Sequence, residues 1–391
     1  MFNISLHFQA LFDTIKLFGL PKHKQDIVFY SEGEAYWPHL KGLVTSTLEN
    51  TSLSICYITS SKNDPGLNLN HQRLKKYFIG AGHIRNYCFE NLQSKICVLT
   101  MPDLGNFQIK RSKYPVHYVY VQHSLVSLHM VYRDGAFKNF DTVCAAGPHH
   151  VKELHALQKQ SKHRKQEVYC LGYSRIDEVI KKYARFAEVN KSSKSGKYKR
   201  ILLAPSWGSQ CLIESGNAHQ LIKTLLSAGH AVSLRPHHQT IVSNGLEVER
   251  IKKAFYHHDK FTYGSDLLDM KALFTADIMI SDWSGVALEF ALGLNKPVIF
   301  YDGNPKVNNS TFSEITITPV EVNLRDKIGF IWDNQSDILK IISSLHAHSK
   351  NPFDYRNELI FNLHQSDTVF SNKMVELNRD LNNNNNSASV S

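Results

Sequence analysis

The sequence predicts an α/β protein built from two doubly wound, Rossmann-like parallel sheets, and three observations lead to this fold class. Short apolar runs alternate with helical stretches along both halves of the chain, which is the pattern of repeated βαβ units. A polar segment at residues 190–199, NKSSKSGKYK, interrupts the alternation and is typical of a linker. The chain has 391 residues, more than one hydrophobic core usually organises, so two domains are expected.

Residues 1–25 are predicted to form an N-terminal amphipathic helix. Apolar residues recur at near-helical spacing from Phe2 to Phe18, and Pro21 ends the pattern before a basic stretch. Such a helix could lie on an anionic membrane or pack on the next domain. No run approaches the roughly 20 apolar residues of a membrane span, and the N-terminus has no signal-peptide pattern. We therefore expect a cytoplasmic protein that could contact the inner face of the cell membrane peripherally.

The first domain is predicted over residues 26–190. Its apolar runs read as buried strands because they are short, rich in β-branched and aromatic residues, and followed by polar turns. The predicted strands are 27–30, 53–59, 96–100, 117–122, 142–146 and 168–171. A helix is predicted over residues 37–48, and strands in this rhythm favour a parallel sheet covered on both faces.

The second domain is predicted over residues 200–375, where the same rhythm restarts. The predicted strands are 200–205, 231–234, 278–280 and 297–301, and the predicted helices are 218–228, 246–257, 267–274, 286–292, 335–345 and 354–363. The Asn-rich tail, 376–391, has almost nothing to bury and is expected to be disordered.

Composition and missing motifs restrict the function. A formal charge of +10 indicates an anionic partner, but no helix concentrates basic residues into a reading face, so nucleic acid is not expected. The absence of GxGxxG after the first strand and of GxxxxGK[ST] argues against a nicotinamide enzyme and a P-loop NTPase. The six cysteines form no CxxC pair, and no ligand spacing completes a zinc site. We expect no metal and no cofactor.

Polar residues that directly follow the predicted strands are the candidate ligand-binding groups, because open parallel sheets bind ligands beyond the carboxyl ends of their strands. These groups are YVQHS at 120–124, GPH at 147–149, GYSRID at 172–177, PSWG at 205–208, RPHH at 235–238 and SDWSG at 281–285. Both halves of the chain therefore contribute polar groups, which we expect to face a shared cleft.

His123 is the candidate general base. A histidine near neutral pKa at the end of a strand can accept a proton from a hydroxyl nucleophile at cellular pH. A histidine that is simply satisfied in the core is the alternative interpretation.

Arg235 and His237 are candidate phosphate ligands, since an Arg side chain offers planar donors and a neighbouring His adds another. The alternative interpretation of these two residues is that they belong to a solvated loop without a ligand. Ser281, Asp282, Ser284 and Gly285 lie where a helix would begin, and the N–H groups and dipole at such a position suit a phosphate. An ordinary N-cap is the alternative there.

With these residues in view, the sequence resembles the CDP-glycerol glycerophosphotransferase family, the teichoic-acid primases and polymerases. Five ordered blocks between Gln122 and Tyr301 carry the resemblance. They are Gln122, His123 and Ser124; Gly172, Arg175 and Asp177; Ala204, Pro205, Ser206 and Trp207; Arg235, Pro236 and His237; and the S-D-x-S block with its helix and the N-K-P-[IV]-x-F-Y segment that ends at Tyr301.

The resemblance implies a GT-B architecture, CDP-glycerol as donor, and release of CMP as glycerol phosphate passes to an acceptor hydroxyl. It implies that His123 is the general base and that His237, beside Arg235, holds the donor pyrophosphate. The implied nucleotide and phosphate ligands are Ser206, Trp207, Ser281, Asp282, Ser284 and Gly285; the implied supporting residues are Gln122, Gly172, Arg175, Asp177 and Glu289.

Three departures from the family pattern are present, and the first of them touches the acceptor side of the proposed site. Ser124 and Leu125 replace a Gly-Thr pair, Ser174 replaces a Pro, and His238 replaces a Pro. We expect acceptor recognition at Ser124 and Leu125, with a lipid-linked teichoic-acid-like polymer, a capsule or another surface glycan as acceptor. A GT-B glycosyltransferase with a nucleotide-sugar donor and a non-catalytic descendant of such an enzyme remain the alternatives.

Overall fold

The computed structural model describes residues 4–21, 24–107, 109–160, 166–190, 196, 198–264, 270–345 and 351–388. Its strands are β1 (Ile27–Ser31), β2 (Ile55–Thr59), β3 (Leu74–Phe78), β4 (Ile96–Leu99), β5 (His117–Tyr120), β6 (Thr142–Ala145), β7 (Glu167–Cys170), β8 (Arg200–Leu203), β9 (Ala231–Leu234), β10 (Phe261–Tyr263), β11 (Ile278–Ser281), β12 (Val298–Tyr301) and β13 (Gly329–Trp332). Its helices are α1 (Ile4–Phe18), α2 (Trp37–Asn50), α3 (His83–Glu90), α4 (Leu128–Val131), α5 (Pro148–Gln160), α6 (Ser174–Val189), α7 (Asn217–Ser227), α8 (His238–Ser243), α9 (Gly245–Phe255), α10 (Lys271–Thr275), α11 (Gly285–Leu294), α12 (Val320–Ile328), α13 (Ile338–Ser344), α14 (Phe353–Leu359) and α15 (Ser366–Ala388).

The chain divides into two units whose boundaries differ from the predicted domains. Unit 1 consists of Met1–His123, Tyr132–Asp177 and Leu359–Ser391, and unit 2 consists of Ser124–Val131 and Glu178–Glu358. The sequence predicted uninterrupted domains at 26–190 and 200–375. Instead, the chain end returns to unit 1, and one short segment of the first half belongs to unit 2. Most of the predicted linker, at 191–195 and 197, lies outside the described residues.

Unit 1 contains a fully parallel sheet in the order β3-β2-β1-β4-β5-β6-β7. Four of the five interior strands, β1, β2, β4 and β6, are buried along their whole length, as a sheet covered on both faces requires. Strand order reverses between β1 and β4, which pair in register from Ile27 with Ile96 to Tyr30 with Leu99. The topological switch point of unit 1 therefore lies beyond the carboxyl ends of β1 and β4.

Unit 2 repeats the plan with the parallel order β10-β9-β8-β11-β12-β13. Its switch point lies beyond β8 and β11, which pair from Ile278 with Ile201 to Ile280 with Leu203. Helix α11 follows β11 and is buried from Ala287 to Leu294. It ends at Asn295, whose φ of 54° is left-handed, a conformation that terminates helices and that Asn tolerates. The predicted α/β class with two doubly wound sheets is confirmed.

The prediction of a disordered tail at 376–391 is wrong for residues 376–388. These residues continue α15, which packs on α2. Phe370, Met374 and Leu377 of α15 are buried in the core of unit 1, so the apolar face that begins before the tail anchors the whole helix. Residues 389–391 lie outside the described part of the chain.

Helix α1 packs one face on unit 1 and exposes the other. Ala10, Thr14 and Leu17 are buried, and the helix contacts β3 and α3. Four apolar side chains on the opposite face are exposed: Phe8 by 68%, Leu11 by 45%, Phe12 by 57% and Ile15 by 59%. Within the described residues, no helix combines the length and the hydropathy needed to cross a bilayer.

Several predicted elements need smaller corrections. Strands β3, β10 and β13 were not predicted, and the helix expected at 354–363 ends at Leu359 because Asn362 and His364 adopt positive φ. The helix expected at 267–274 corresponds to α10, while residues 265–269 lie outside the described residues. The helix expected at 335–345 begins at Ile338, after Asp337 caps it by accepting from the Leu339 N–H.

Gly172 provides a test of how the chain end is attached to unit 1. Its φ is +101°, and an added Cβ would lie 2.3 Å from the Phe361 carbonyl oxygen. Gly172→Ala should destabilise the protein by at least about 2 kcal/mol, because strain and overpacking act together. Urea unfolding followed by circular dichroism measures this change.

The matched control is Gly245→Ala, since Gly245 has open space where a Cβ would be added. That variant should stay within about 0.5 kcal/mol of the wild type. Equal stability of the two variants would show that Gly172 does not hold the returning segment.

Candidate active site

Two polar groups of unit 1 follow strands near its switch point. Glu32 comes directly after β1, and His123 comes three residues after the end of β5. His123 was predicted as a site residue, whereas Glu32 was not. The signal for Glu32 was present in the sequence, since it follows a short apolar run that ends at Ser31.

The His123 ring is held by aromatic neighbours. Its Nδ1 lies 3.2 Å from the Tyr120 hydroxyl, and that hydroxyl also hydrogen-bonds with Tyr132. The rings of Tyr36, His39 and Tyr132 meet the imidazole edge-on at centroid distances of 6.0, 6.2 and 5.9 Å. Burial lowers the pKa of His39, and the Arg175 and His123 charges lower it further. His39 is therefore neutral beside His123.

Glu32 is a carboxyl group with an unusual proton affinity. Burial raises its pKa to about 7, although a hydrogen bond from Tyr36 and the charge of Arg85 oppose the rise. Tyr36 thus contacts both the Glu32 carboxyl and the His123 ring. Carboxyl groups with near-neutral pKa occur more often at functional sites than elsewhere.

The predicted supporting residues of unit 1 hold its backbone in place. Gln122 donates from Nε2 to the Cys144 carbonyl oxygen at 3.0 Å, which ties the end of β5 to β6. The Asp177 carboxylate accepts from the N–H groups of His364 at 2.8 Å and Ser366 at 3.3 Å, so it caps α15. Gly172 and Asp177 therefore attach the chain end, and Arg175 is buried close to His39.

In unit 2, Ser281 and Asp282 are buried and bonded to the backbone. The Ser281 hydroxyl donates to the Ala204 carbonyl oxygen at 2.7 Å. The Asp282 carboxylate accepts from Ser206 N at 2.6 Å and from Leu212 N at 3.0 Å. Burial raises the pKa of Asp282, which these backbone donors oppose. The sequence predicted that both residues bind the nucleotide; the structure shows that they join β11 to the loop after β8.

The start of α11 is partly covered by Ser124. Ser284 is the N-cap residue, but its side chain makes no capping hydrogen bond. A Cβ added to Gly285 would lie 2.1 Å from Ser124 Oγ. Ser124 Oγ therefore lies beside the first residue of α11, where the sequence predicted a phosphate. Glu289, one turn further along α11, is buried.

The segment 124–131 is anchored within unit 2. The Ser127 N–H and hydroxyl both donate to the Glu321 carboxylate, at 2.9 and 2.8 Å. His129 bonds to the Ile317 carbonyl oxygen, and Asn309 donates to the His129 carbonyl oxygen. Leu125 is buried. The prediction that Leu125 recognises the acceptor is therefore wrong, because its side chain is part of the packing.

Trp207 and His237 lie beside each other at the ends of β8 and β9. Their rings are 6.2 Å apart, and Trp207 remains 37% exposed. His237 Nδ1 accepts from the Gln239 N–H at 3.1 Å, so the neutral imidazole carries its proton on Nε2. Arg235 is half-buried at the end of β9, and its N–H donates to the Leu203 carbonyl oxygen.

Two cationic residues of unit 2 were missed by the sequence interpretation. Lys306 lies in the loop after β12, with Nζ 4.0 Å from the centre of the Trp207 ring. Arg325 is buried, with its guanidinium 4.1 Å from the Trp283 ring centre, and it donates to the Tyr301 carbonyl oxygen at 2.6 Å. Neither residue directly follows an apolar run that the sequence identified as a strand. Sequence spacing alone gave no signal for them.

Two sheets with Rossmann strand order and polar groups at both switch points define a GT-B transferase fold. The family model for CDP-glycerol:poly(glycerophosphate) glycerophosphotransferase matches residues 21–355. The chain belongs to this family and is a CDP-glycerol glycerophosphotransferase-like transferase. A search of curated protein sequences gives no match.

Solved structures support the fold. The wall teichoic acid polymerase TagF matches with a TM-score of 0.59 and 12% identity, covering 97% of this chain and 99% of that one. A TagF structure soaked with CDPG matches with a TM-score of 0.55 and 13% identity over 97% and 99%. UDP-GlcNAc 2-epimerase from Methanocaldococcus jannaschii, in complex with UDP-GlcNAc and UDP, matches with a TM-score of 0.56 and 14% identity over 85% and 96%.

The contact between Ser124 and Gly285 can be tested with a double-mutant cycle. Gly285→Ala should destabilise the protein by about 1 to 3 kcal/mol, because the new methyl group meets the Ser124 hydroxyl. Adding Ser124→Gly should remove most of this cost, giving a coupling energy of at least about 1 kcal/mol in urea unfolding. Strict additivity of the two substitutions would contradict the contact.

Proposed function

We propose that this protein transfers glycerol phosphate from CDP-glycerol to a hydroxyl group of a lipid-linked surface-glycan or teichoic-acid-like acceptor. The acceptor oxygen would attack the phosphorus that carries glycerol. The bond between that phosphorus and the oxygen bridging to CMP would break, and CMP would leave with the electron pair. The acceptor proton would pass to the enzyme. Membership of the family supports this reaction class.

The observation that carries the proposal is the hydrogen bond between His123 and Tyr120. We assign the Tyr120 proton to its bond with Tyr132, so that His123 carries its own proton on Nδ1. The basic nitrogen is then Nε2, which accepts the proton of the acceptor hydroxyl. Orientation of a histidine by a second group is the arrangement that general-base catalysis uses.

Glu32 and Tyr36 extend this acceptor group in our proposal. Tyr36 contacts both His123 and Glu32, and a carboxylate accepts hydrogen bonds from neighbouring hydroxyls of a polyol or sugar. Aromatic rings beside the carboxylate give apolar faces against which such an acceptor can pack. We therefore assign acceptor binding to these residues rather than to Ser124 and Leu125.

The donor would be bound by unit 2. His237 offers an Nε2 proton, Arg235 offers guanidinium donors, and the Trp207 ring and the Ser206 hydroxyl lie at the adjoining strand end. Ser284 and Gly285 stay predicted contacts of the donor, and Glu289 a predicted supporting residue, whereas Ser281 and Asp282 would support the site from behind. The soak of TagF with CDPG supports CDP-glycerol as donor. The shared cleft between the two halves stays a prediction.

His123→Ala should lower the rate of CMP release by about 100-fold or more, because general-base catalysis contributes 10²- to 10⁴-fold. CDP affinity should change less than twofold, since the donor binds to other residues. CMP release is measured with CDP-glycerol and membrane extract, and product mass identifies the acceptor. His83→Ala is the control, because His83 is exposed at the start of α3.

Retained turnover in His123→Ala would refute the assignment of the base. Binding of CDP-glycerol, CDP, UDP and UDP-sugars is measured in parallel. Binding of UDP compounds alone would favour the glycosyltransferase alternative over the CDP-glycerol transferase. No CMP release by the wild type with any extract would favour a non-catalytic protein.

We place the protein on the cytoplasmic side of the membrane, with α1 contacting anionic lipid. Phe8, Leu11, Phe12 and Ile15 form an exposed apolar face with helical spacing. Lys16 lies at the edge of that face, 4.2 Å from the Phe12 ring centre, and the chain carries a formal charge of +10. Apolar burial and attraction to anionic lipid together favour a helix lying in the interface.

Phe8→Ser combined with Phe12→Ser should reduce binding to phosphatidylglycerol-containing vesicles by at least about tenfold, because two large apolar groups no longer enter the lipid. Vesicle flotation measures the bound fraction. The control combines Val242→Ser with Leu246→Ser, two exposed apolar residues elsewhere. Equal loss in both double variants would exclude a specific role of α1.

A further inference from the structure

Lys306 is a largely buried cation with few partners. In the described part of the chain, its Nζ makes one hydrogen bond, with Ser206 Oγ at the long distance of 3.4 Å. An ammonium group can donate three hydrogen bonds. Within the described residues, no carboxylate lies within ion-pair distance of Lys306. A cation in such a position ordinarily finds an anion, because burial without a counter-charge is unfavourable.

The carboxyl groups that act electrostatically on Lys306 hydrogen-bond with other groups of the protein. Asp282 accepts two backbone N–H groups, and Glu214 accepts from the Thr240 hydroxyl at 2.6 Å. Both act on Lys306 electrostatically. Neither lies within ion-pair distance of the ammonium.

The groups around the ammonium suit a phosphate. Lys306 Nζ lies 4.0 Å from the centre of the Trp207 ring, and the His237 ring is 6.2 Å from that ring. An ammonium, a hydroxyl and an imidazole N–H on Nε2 are donors that bind phosphate oxygens.

We propose that Lys306 binds a phosphate group of the nucleoside diphosphate donor, with Trp207 forming the wall of the site. This inference rests on the proposed donor site and adds to it a residue that neither the sequence motifs nor the family blocks contain. Lys306 would balance the charge that the departing nucleotide phosphate gains when the bond to glycerol phosphate breaks. It is a substrate-binding residue in this role.

The pKa of Lys306 predicts a pH dependence of diphosphate binding that tests the proposal. Burial lowers the pKa of Lys306 to about 8, while the charges of Asp282 and Glu214 oppose the decrease. Burial raises the pKa of Cys211, so this thiol does not ionise between pH 7 and 9.5. A bound phosphate raises the pKa of Lys306 because opposite charge favours the ammonium. Diphosphate binding above pH 8 should therefore take up a proton, and affinity should fall as the pH rises.

The experiment measures CDP binding by calorimetry in buffers of different ionisation enthalpy, at pH 7 and pH 8.5. Lys306→Met should weaken binding at pH 7 by about 10- to 100-fold, the usual effect of a lost charge-assisted hydrogen bond. Lys306→Arg should retain affinity but lose the proton uptake at pH 8.5, because Arg stays protonated. Lys223→Met is the control, since Lys223 is exposed on α7.

The outcomes separate this inference from the proposed function. The role of Lys306 would be overturned, with the proposed function left intact, by two results together. CDP would bind equally well to Lys306→Met and Lys223→Met, and proton uptake would be unchanged in Lys306→Arg. Binding of UDP but not CDP, weakened by Lys306→Met, would overturn the CDP donor and support Lys306. If the wild type bound neither CDP, UDP nor inorganic pyrophosphate, both proposals would be refuted.

Discussion

The geometry of unit 2 depends on the buried carboxylate of Asp282. It joins the carboxyl end of β11 to the loop after β8 through hydrogen bonds from Ser206 N and Leu212 N. Those two strands flank the point where strand order reverses, which is where open α/β sheets bind ligands. Hydrogen bonds to a buried charged group each contribute about 1.5 to 3 kcal/mol. Asp282 therefore fixes the backbone from which Ser206 and Trp207 project.

Unit 1 is stabilised in a different way, because the C-terminal segment Leu359–Ser391 packs back on it. Gly172 allows Phe361 to approach closely, Asp177 caps α15, and Phe370 of α15 enters the core. These contacts fix the C-terminal segment to unit 1, whose strand β5 leads to His123. A family block that the sequence interpretation assigned to the site thus supports it indirectly, by fixing the scaffold.

The sequence interpretation found the central strands of both sheets and the edge strand β7, and it missed the other three edge strands. β3, β10 and β13 are edge strands in the observed orders, and β3 contains two adjacent Lys residues. A central strand of a parallel sheet is buried on both faces and reads as a continuous apolar run, whereas an edge strand is shorter and more polar. Burial on both faces therefore makes the central strands visible in a sequence.

By itself, the sequence determined the two-sheet α/β plan, the family and the positions of His123, Arg235 and His237 at strand ends, because periodicity and ordered motifs are local properties. Only the tertiary structure decided that the side chains of Ser281 and Asp282 hydrogen-bond with backbone groups of the protein, and that Leu125 is buried. It also decided that Glu32 lies against Tyr36 and that Lys306 lies against Trp207. The physical reason is that hydrogen-bond partners and burial depend on residues distant along the chain. Lys306 contacts Ser206, which lies 100 positions away in the sequence. A local sequence motif does not extend over such a separation.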